Sequence, residues 1–142
     1  MPDRTAAQNR ISDVDVVLKD GSTVHLQAAA AADRDDLVQF YEALSLESRY
    51  LRFFGGIAHS AHLVDRWLER GVLGLLALHH GRIVGHGYYG ATSSRRAEVA
   101  FAVADEMQGR GLGTLLVGQL AAIALAAGIE EFEATVSPRT TR

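Results

Sequence analysis

Apolar and polar positions alternate in the first third of the chain in a way that predicts a β-hairpin followed by an amphipathic helix. From Asp15 to Gln27, the strand-like segments VDVVL and STVHL flank an Asp20-Gly21 pair, whose glycine supplies the positive φ that a tight turn requires. Asp33 predicts a helix start, because its carboxylate can accept hydrogen bonds from first-turn N–H groups. The apolar residues that follow recur on one helical face: Leu37, Phe40, Tyr41 and Leu44.

Two further helical segments are predicted before the chain changes character. Ser45 to Phe54 reads as a short helical or irregular piece that ends at Gly55-Gly56. Ser60 is the expected cap of the next helix, which ends at Gly71. The apolar face of that helix is formed by Leu63, Val64, Trp67 and Leu68. This spacing places Trp67 in the core.

The second half of the chain predicts strands around one long helix. Leu73–Leu78 and Ile83–Tyr89 form a hairpin around a His80-Gly81 turn, and Glu98–Val103 is a third strand after the polar tip Thr92–Arg96. The remaining elements are a glycine-rich loop, a helix over Gly113–Ala127 with Gly128 as its C-cap, and a strand over Glu131–Val136.

The order of these elements predicts an α/β fold of mixed α+β type. A strand, a loop, a helix and a strand in succession require parallel pairing through a right-handed crossover. The expected sheet therefore combines an antiparallel meander with one parallel strand-loop-helix-strand unit. A chain of 142 residues is long enough for one core, so we expect a single domain over residues 14–142 after a flexible lead-in over residues 1–13.

Composition and charge exclude several classes of function. No cysteine is present, which rules out a disulfide scaffold, a zinc ribbon and a thiol nucleophile. The net charge of −3 argues against a nucleic-acid binder. The uncharged stretch Leu112–Ile129 would give a helix of about 22 Å, short of a bilayer core of roughly 30 Å, so we expect no membrane span and a cytoplasmic protein. The six histidines, which include His59 and His62, form no H-E-x-x-H motif; surface or turn positions and no metal are expected.

The glycine-rich loop carries the most specific chemical signal. Gly109, Gly111 and Gly113 alternate between a strand and a helix start, where backbone N–H groups can converge on a pyrophosphate. A P-loop is excluded because the span from Gly113 to Gly118, which has the Gly-x-x-x-x-Gly spacing, is followed by Gln119 rather than lysine. The dinucleotide spacing Gly-x-Gly-x-x-Gly is also absent from this loop, because the sixth position counted from Gly109 is Thr114 and from Gly111 is Leu116. The pattern that remains is Gln-x-x-Gly-x-Gly.

The segment EVAFAVADEMQGRGLGT resembles the acetyl-CoA motif of the GCN5-related N-acetyltransferase (GNAT) superfamily. The resemblance implies that acetyl-CoA is the co-substrate and that backbone amides of the loop bind its pyrophosphate: Gln108, Gly109, Arg110, Gly111, Leu112, Gly113 and Thr114. It also implies that Phe101, Ala102 and Val103 pair with the pantetheine arm, and that the Phe101 N–H binds the thioester oxyanion.

The resemblance further implies a general base on the same strand. Glu98 alternates with Ala100 and Ala102 and would deprotonate the acceptor amine. Without cysteine, direct attack on the thioester is favoured over a thiol acyl-enzyme. The segments DGSTVHLQ and LSLESRYLRFFGG resemble bacterial protein lysine acetyltransferases, which implies a protein lysine as acceptor and an acceptor site near Ser48–Phe54. A small-molecule amine is the alternative acceptor.

Simpler interpretations stand beside these. The glycines can simply form a tight connection between the strand and the helix. Glu98 can be a solvated strand residue, and Arg110 can be a free surface charge. Members of the resembled family continue with a helix and further strands where this chain has SPRTTR after Val136. A truncated or non-catalytic acyl-CoA-binding or interaction domain is therefore the alternative function. An exposed last strand would also allow a homodimer.

Overall fold

A computed structural model describes residues 14–44, 60–70 and 74–134 of the chain. The expected lead-in, the segment Ser45–Phe54 and its Phe53-Phe54 pair, His59, the helix end at Gly71 and the end of the last strand at Val136 lie outside these residues.

Six strands form one sheet in chain order. They are β1 (Val14–Val17), β2 (Thr23–Ala28), β3 (Leu75–His79), β4 (Arg82–Ala91), β5 (Arg96–Val103) and β6 (Glu131–Ala134). Every neighbouring pair is antiparallel except β5 and β6, which are parallel. The predicted meander with one parallel strand-loop-helix-strand unit is therefore confirmed.

The predicted first hairpin forms around Asp20 and Gly21. Gly21 has φ +91°, and its N–H donates to the Leu18 carbonyl at 3.0 Å. The Asp20 carboxylate accepts the N–H and the hydroxyl of Ser22 at 3.0 and 2.6 Å. These bonds, assisted by the charge of Arg110, hold the pKa of Asp20 below its usual value. Asp20 is therefore an anion within an ordered turn.

Two helices, α1 (Arg34–Ala43) and α2 (Ser60–Arg70), lie on one face of the sheet and contact each other. Leu37, Tyr41, Val64 and Trp67 point into the core between them and the sheet, as their spacing predicts. Arg34 joins the helices by donating Nε and Nη2 hydrogen bonds to the two carboxylate oxygens of Asp65, at 2.8 and 3.1 Å.

Asp33 stands at the start of α1, as expected, but its side chain makes a different bond. The carboxylate accepts the N–H of Ala30 at 2.8 Å and makes no bond to a first-turn N–H of α1. The reason is a 3-10 turn over Ala31–Asp33 that precedes the helix. Within that turn Asp33 occupies the third position, from which a carboxylate reaches back to the N–H before the turn.

The long apolar helix, α3 (Leu112–Ala126), covers the opposite face of the sheet. Its buried residues recur every four positions: Leu112, Leu116, Leu120 and Ala124. β4 meets them with Gly85 and Gly87; a Cβ on Gly87 would lie 2.8 Å from Cδ1 of Leu120. Small residues on β4 thus let the helix approach the sheet closely. In the described ranges, no helix combines the length and apolarity needed to cross a membrane.

One histidine departs from the surface and turn positions expected of the six. His86 lies on β4 between the two glycines that face α3, so its ring points to the α1 and α2 side and is fully buried. His79 and His80 do lie at the β3–β4 turn, where His80 has φ +54°. The prediction was wrong for His86 because its burial depends on which sheet face the helices cover.

Candidate active site

Two backbone N–H groups of β5 lie on a strand edge that β6 does not fill. The Ala104 N–H donates to the Val84 carbonyl at 2.8 Å, and the Arg96 carbonyl accepts the Thr92 N–H at 2.9 Å, so even-numbered residues of β5 direct their backbone groups toward β4. Alternation then directs the N–H groups of Phe101 and Val103 toward β6.

β6 pairs with β5 over only the first half of that strand. Its register runs from Arg96 opposite Glu131 to Val99 opposite Ala134. In the part of the chain that the structure describes, the edge of β5 from Phe101 to Val103 therefore has no strand beside it. An extended ligand can pair there as a strand would, using both N–H groups.

The glycine loop begins where this edge ends. A 3-10 turn over Asp105–Met107 leads into Gly109 at φ +81° and Gly111 at φ +89°, conformations that L side chains rarely adopt. Gly111 is the N-cap of α3 and no side chain caps that helix. Among the described residues, the N–H groups from Gly109 to Thr114 have no backbone acceptor. This row of donors at a helix N-terminus is an anion-binding arrangement.

Gly113 couples the loop to the strand. A Cβ at this position would lie 2.7 Å from Cε2 and 3.2 Å from Cζ of Phe101, so a side chain here would force the ring or the helix start to shift. The Phe101 ring thus packs beneath the start of α3 while its N–H remains on the open edge. This contact favours glycine at position 113, whereas Gly109 meets nothing within 4 Å and glycine is favoured there by φ alone.

Side chains of the loop hold it to its surroundings. The Gln108 amide donates to the Val103 carbonyl at 3.3 Å. Arg110 donates to the Asp20 carboxylate at 2.9 Å and to the Glu106 carbonyl at 3.2 Å. Leu112 is buried, and Thr114 is exposed in the first turn of α3. Arg110 is therefore part of a contact with the first hairpin rather than a free surface charge.

Glu98 lies on the α1 and α2 side of β5, on the same face as Ala100 and Ala102. It is exposed, and the residue opposite it on β4 is Gly90. Small residues thus border the carboxylate along its own strand and across to β4. On its other side the parallel partner is Glu133 of β6. The carboxylate is accessible from the side of the sheet that α3 does not cover.

An aromatic cluster that sequence reasoning did not identify as a unit borders Ala100 and Ala102. His86 and Tyr88 of β4 stand opposite these alanines, and the Tyr41 hydroxyl lies 2.6 Å from Nδ1 of His86. Trp67 packs on both rings, with centroids 5.1 Å from His86 and 5.0 Å from Tyr88. The alternation of glycine and ring over Gly85–Tyr88, with glycines toward α3 and rings toward α1 and α2, was the available signal.

A shallow depression of about 290 Å³ lies at the far end of β5 from the glycine loop. Its lining is Thr92, Arg96, Ala97, Glu131, Phe132 and Glu133. An Arg96–Glu131 ion pair lies within this lining. The row of backbone donors, rather than this depression, therefore marks the candidate site. Among the described residues, no group of three or more His, Cys, Asp or Glu side chains is placed to hold a metal ion.

Comparison with known proteins identifies the family. A family model described as the acetyltransferase (GNAT) family matches residues 26–142. The chain belongs to this family. The GNAT domain of PAT from S. lividans is 36% identical to this GNAT chain, with a TM-score of 0.75, covering 85% of this chain and 76% of that one.

Structures with lower sequence identity share the fold. YncA from Salmonella typhimurium, described with its cofactor acetyl-CoA, is 18% identical with a TM-score of 0.61, covering 78% of this chain and 68% of that one. A phosphinothricin acetyltransferase from Sinorhizobium meliloti, in complex with acetyl-CoA, is 22% identical with a TM-score of 0.57, covering 72% of this chain and 60% of that one.

In this GNAT chain the residues predicted from the motif lie along one continuous path. The path runs from Glu98 along the open edge at Phe101 and Val103 into the loop from Gln108 to Thr114. Ala102 lies between the two edge residues and directs its own N–H toward β4. Ala102 therefore offers no N–H to a ligand on the open edge, and its small side chain leaves room for that ligand.

Proposed function

We propose that this chain transfers an acetyl group from acetyl-CoA to an amine, and that the acceptor is a lysine side chain of a protein. The observation that carries the proposal is the continuous line of backbone donors, first on the β5 edge at Phe101 and Val103 and then in the loop from Gly109 to Thr114. A pantetheine arm offers amides that pair with a strand edge, and the attached diphosphate suits the N–H groups at the start of α3.

The acetyl end of the coenzyme lies toward Glu98 in this arrangement. The acceptor nitrogen attacks the thioester carbonyl carbon, and the resulting oxyanion accepts the Phe101 N–H. Collapse of this intermediate breaks the carbon–sulfur bond and releases coenzyme A as a thiolate, while the amide stays on the acceptor. The chain contains no cysteine to carry the acetyl group, which supports a direct transfer.

Glu98 removes the proton that the acceptor must lose. A free lysine has a pKa near 10.4, so its deprotonation at pH 7 costs about 4.6 kcal/mol. A carboxylate beside the nitrogen lowers this cost by accepting the proton before the attack, since an ammonium has no lone pair. The second proton that the nitrogen loses on forming the amide passes to the released thiolate. The exposure of Glu98, with Gly90 and Ala100 beside it, gives the amine access to it.

The same side of the sheet supports a lysine side chain as acceptor. Tyr88 is half-buried opposite Ala100, and Trp67 packs on it, so an apolar wall stands beside the approach to Glu98. The four methylene groups of a lysine can lie against such a wall while the nitrogen reaches the carboxylate. An open strand face of this kind also admits a side chain that is attached to a protein. The 36% identity to the GNAT domain of S. lividans PAT is consistent with this proposal.

The experiment measures release of coenzyme A from acetyl-CoA with a lysine-containing peptide, an equal peptide with acetylated lysine, and small amines as acceptors. We expect turnover with the first peptide above that with small amines, and none with the second. A peptide rate equal to the rate without acceptor would contradict the lysine proposal and leave the coenzyme site standing.

Glu98→Gln tests the base. We expect kcat at pH 7 to fall by about 10²- to 10⁴-fold, with the Kd for acetyl-CoA unchanged, since proton transfer in the transition state contributes this much. Glu130→Gln, the same change at an exposed residue that lies across an ion pair from Arg95, is the matched control. If Glu98→Gln turned over at the rate of Glu130→Gln, Glu98 would not be the base. Acetyl-CoA binding together with a near-zero rate in all three proteins would favour the non-catalytic alternative.

A further inference from the structure

The turn of the first hairpin contacts the glycine loop through two adjacent residues. Asp20 accepts a hydrogen bond from Arg110 at 2.9 Å. Lys19 extends over Gly111, with its Cε 3.3 Å and its Cγ 3.9 Å from the point where a Cβ on Gly111 would sit. Gly111 thus leaves room for the lysine side chain as well as adopting a positive φ. The two residues lie more than eighty positions from the loop in sequence, so the contact exists only in the fold.

The two cationic side chains beside the loop, Arg110 and Lys19, differ in their ion pairs. Arg110 is held by the Asp20 carboxylate and the Glu106 carbonyl. The nearby acidic side chains Asp105 and Glu106 are exposed, and residues from Leu112 to Ile129 carry no charge. Lys19 is exposed, and the ion pairs between described residues do not include it. It is also the one lysine in the sequence.

We infer that Lys19 is a ligand of the coenzyme's phosphate groups, delivered to the loop by the first hairpin. The inference rests on the proposed function, which places the diphosphate at the N–H groups of Gly109 to Thr114. The ammonium is one bond beyond Cε, and Cε lies against Gly111, so the charge stands beside these donors. Lysine binds phosphate in this way as a compact point charge.

Asp20 and Arg110 position the turn for this role. An aspartate beside a phosphate-binding lysine would ordinarily weaken the binding of an anion. Here the Asp20 carboxylate accepts hydrogen bonds from Ser22 and forms an ion pair with Arg110. The positive charge of Arg110 offsets the negative charge of Asp20. The Asp20–Arg110 pair therefore joins the turn to the loop and leaves the Lys19 charge directed at the ligand.

The proposed role of Lys19 predicts separate effects on coenzyme binding and on the chemical step. Lys19 lies at the opposite end of the coenzyme path from Glu98, so it should affect coenzyme binding and not the chemical step. We expect Lys19→Gln to raise the Kd for acetyl-CoA, measured by calorimetry, by about 10-fold, the amount that one charge-assisted hydrogen bond contributes. Lys19→Arg should stay within about threefold, and kcat at saturating acetyl-CoA should be unchanged in both.

Arg66→Gln is the control for a lost positive charge. Arg66 is exposed on α2, on the other side of the sheet from α3. Its Kd for acetyl-CoA should match that of the unmodified chain. Acetyl-dephospho-CoA, which retains the diphosphate but lacks the 3′-phosphate, distinguishes the two phosphate sources. A loss on Lys19→Gln with both coenzymes assigns the diphosphate, and a loss with acetyl-CoA alone assigns the 3′-phosphate.

Because Lys19 is the one lysine, an amine-reactive ester followed by mass spectrometry reports on it directly. We expect saturating acetyl-CoA to slow its modification at least fivefold, and S-acetylpantetheine, which has no phosphate, to leave it unchanged. If acetyl-CoA bound the unmodified chain but neither protected Lys19 nor bound Lys19→Gln more weakly, the inference would be overturned and the proposed function would stand. Failure of the unmodified chain to bind acetyl-CoA would overturn both.

Discussion

Gly113 links the packing of α3 to the backbone donors of the candidate site. It stands in the first turn of α3, directly above the Phe101 ring, and the same Phe101 offers its N–H to the open edge of β5. A side chain at Gly113 would have to displace that ring or the helix start. Because the loop donors and the edge donors share this contact, a displacement should disturb both.

Gly113→Ala is expected to lower the free energy of unfolding by about 1–3 kcal/mol, the usual cost of overpacking, and to weaken acetyl-CoA binding. Gly118→Ala is the matched control, since Gly118 lies on the same helix with nothing within 4 Å of its added Cβ. There the change should stabilise by about 0.5–1 kcal/mol through helix propensity. Urea unfolding of both variants checks the prediction, and equal stability of the two would contradict it.

Residue-scale prediction from the sequence succeeded where a local requirement set the residue type. The positive φ at Gly21 belongs to a turn that the Asp-Gly pair marks plainly in the sequence. Prediction from the sequence failed where a residue's contacts or burial depend on a partner that is distant in the chain. Asp20 and Arg110 are far apart in the chain, so no spacing rule joins them, and the burial of His86 depends on helices that follow other strands.

Among the elements, the two helix layers are held to the sheet in different ways. α3 contacts glycines of β4 through leucines, a contact without charge. α1 and α2 are joined to each other by Arg34 and Asp65 at their partly exposed border, in addition to their apolar contact with the sheet. The layer formed by α1 and α2 therefore includes an ion pair whose contribution to stability depends on pH, and the uncharged contact of α3 with β4 does not.

The hydrogen bonds from Arg34 hold the pKa of Asp65 below its ordinary value of 3.8. A depressed pKa stabilises the fold above the unfolded pKa, and the contribution is lost as pH falls through the lower, folded value. Asp65→Asn should therefore lower the urea midpoint at pH 7, and its difference from the unmodified chain should shrink between about pH 4 and pH 2. Glu69→Gln, at an exposed position of the same helix, is the control. A difference that stayed constant over this range would contradict the assignment.

The order and type of the elements followed from turn signals and hydrophobic spacing. Two strand-like segments separated by Asp-Gly or His-Gly predict a hairpin. The uncharged segment between the glycine loop and the last short strand predicts a helix that packs against the sheet. α3 begins and ends one residue before its predicted bounds. The start of α1 differed because a 3-10 turn precedes it, and such a turn has no distinct sequence signal.

At the scale of the whole molecule, the sheet separates the face that carries Glu98 from the face that α3 covers. Glu98 and the aromatic cluster lie on the α1 and α2 side, α3 covers the other side, and the open edge of β5 runs between them toward the glycine loop. In the proposed function, a coenzyme along that edge would reach an acceptor from one side, and its phosphates would contact the start of α3. The predicted homodimer through the last strand stays a prediction, since residues after Ala134 lie outside the described part of the chain.

The most direct test of this account is a titration of the labelled protein with acetyl-CoA, followed by the nuclear magnetic resonance shifts of its backbone amides. We expect the largest changes on the N–H groups of Phe101, Val103 and the loop from Gly109 to Thr114, and smaller ones at Ala100 and Ala102, whose N–H groups point toward β4. Saturable binding whose largest changes fall elsewhere, or no change at millimolar acetyl-CoA, would contradict it.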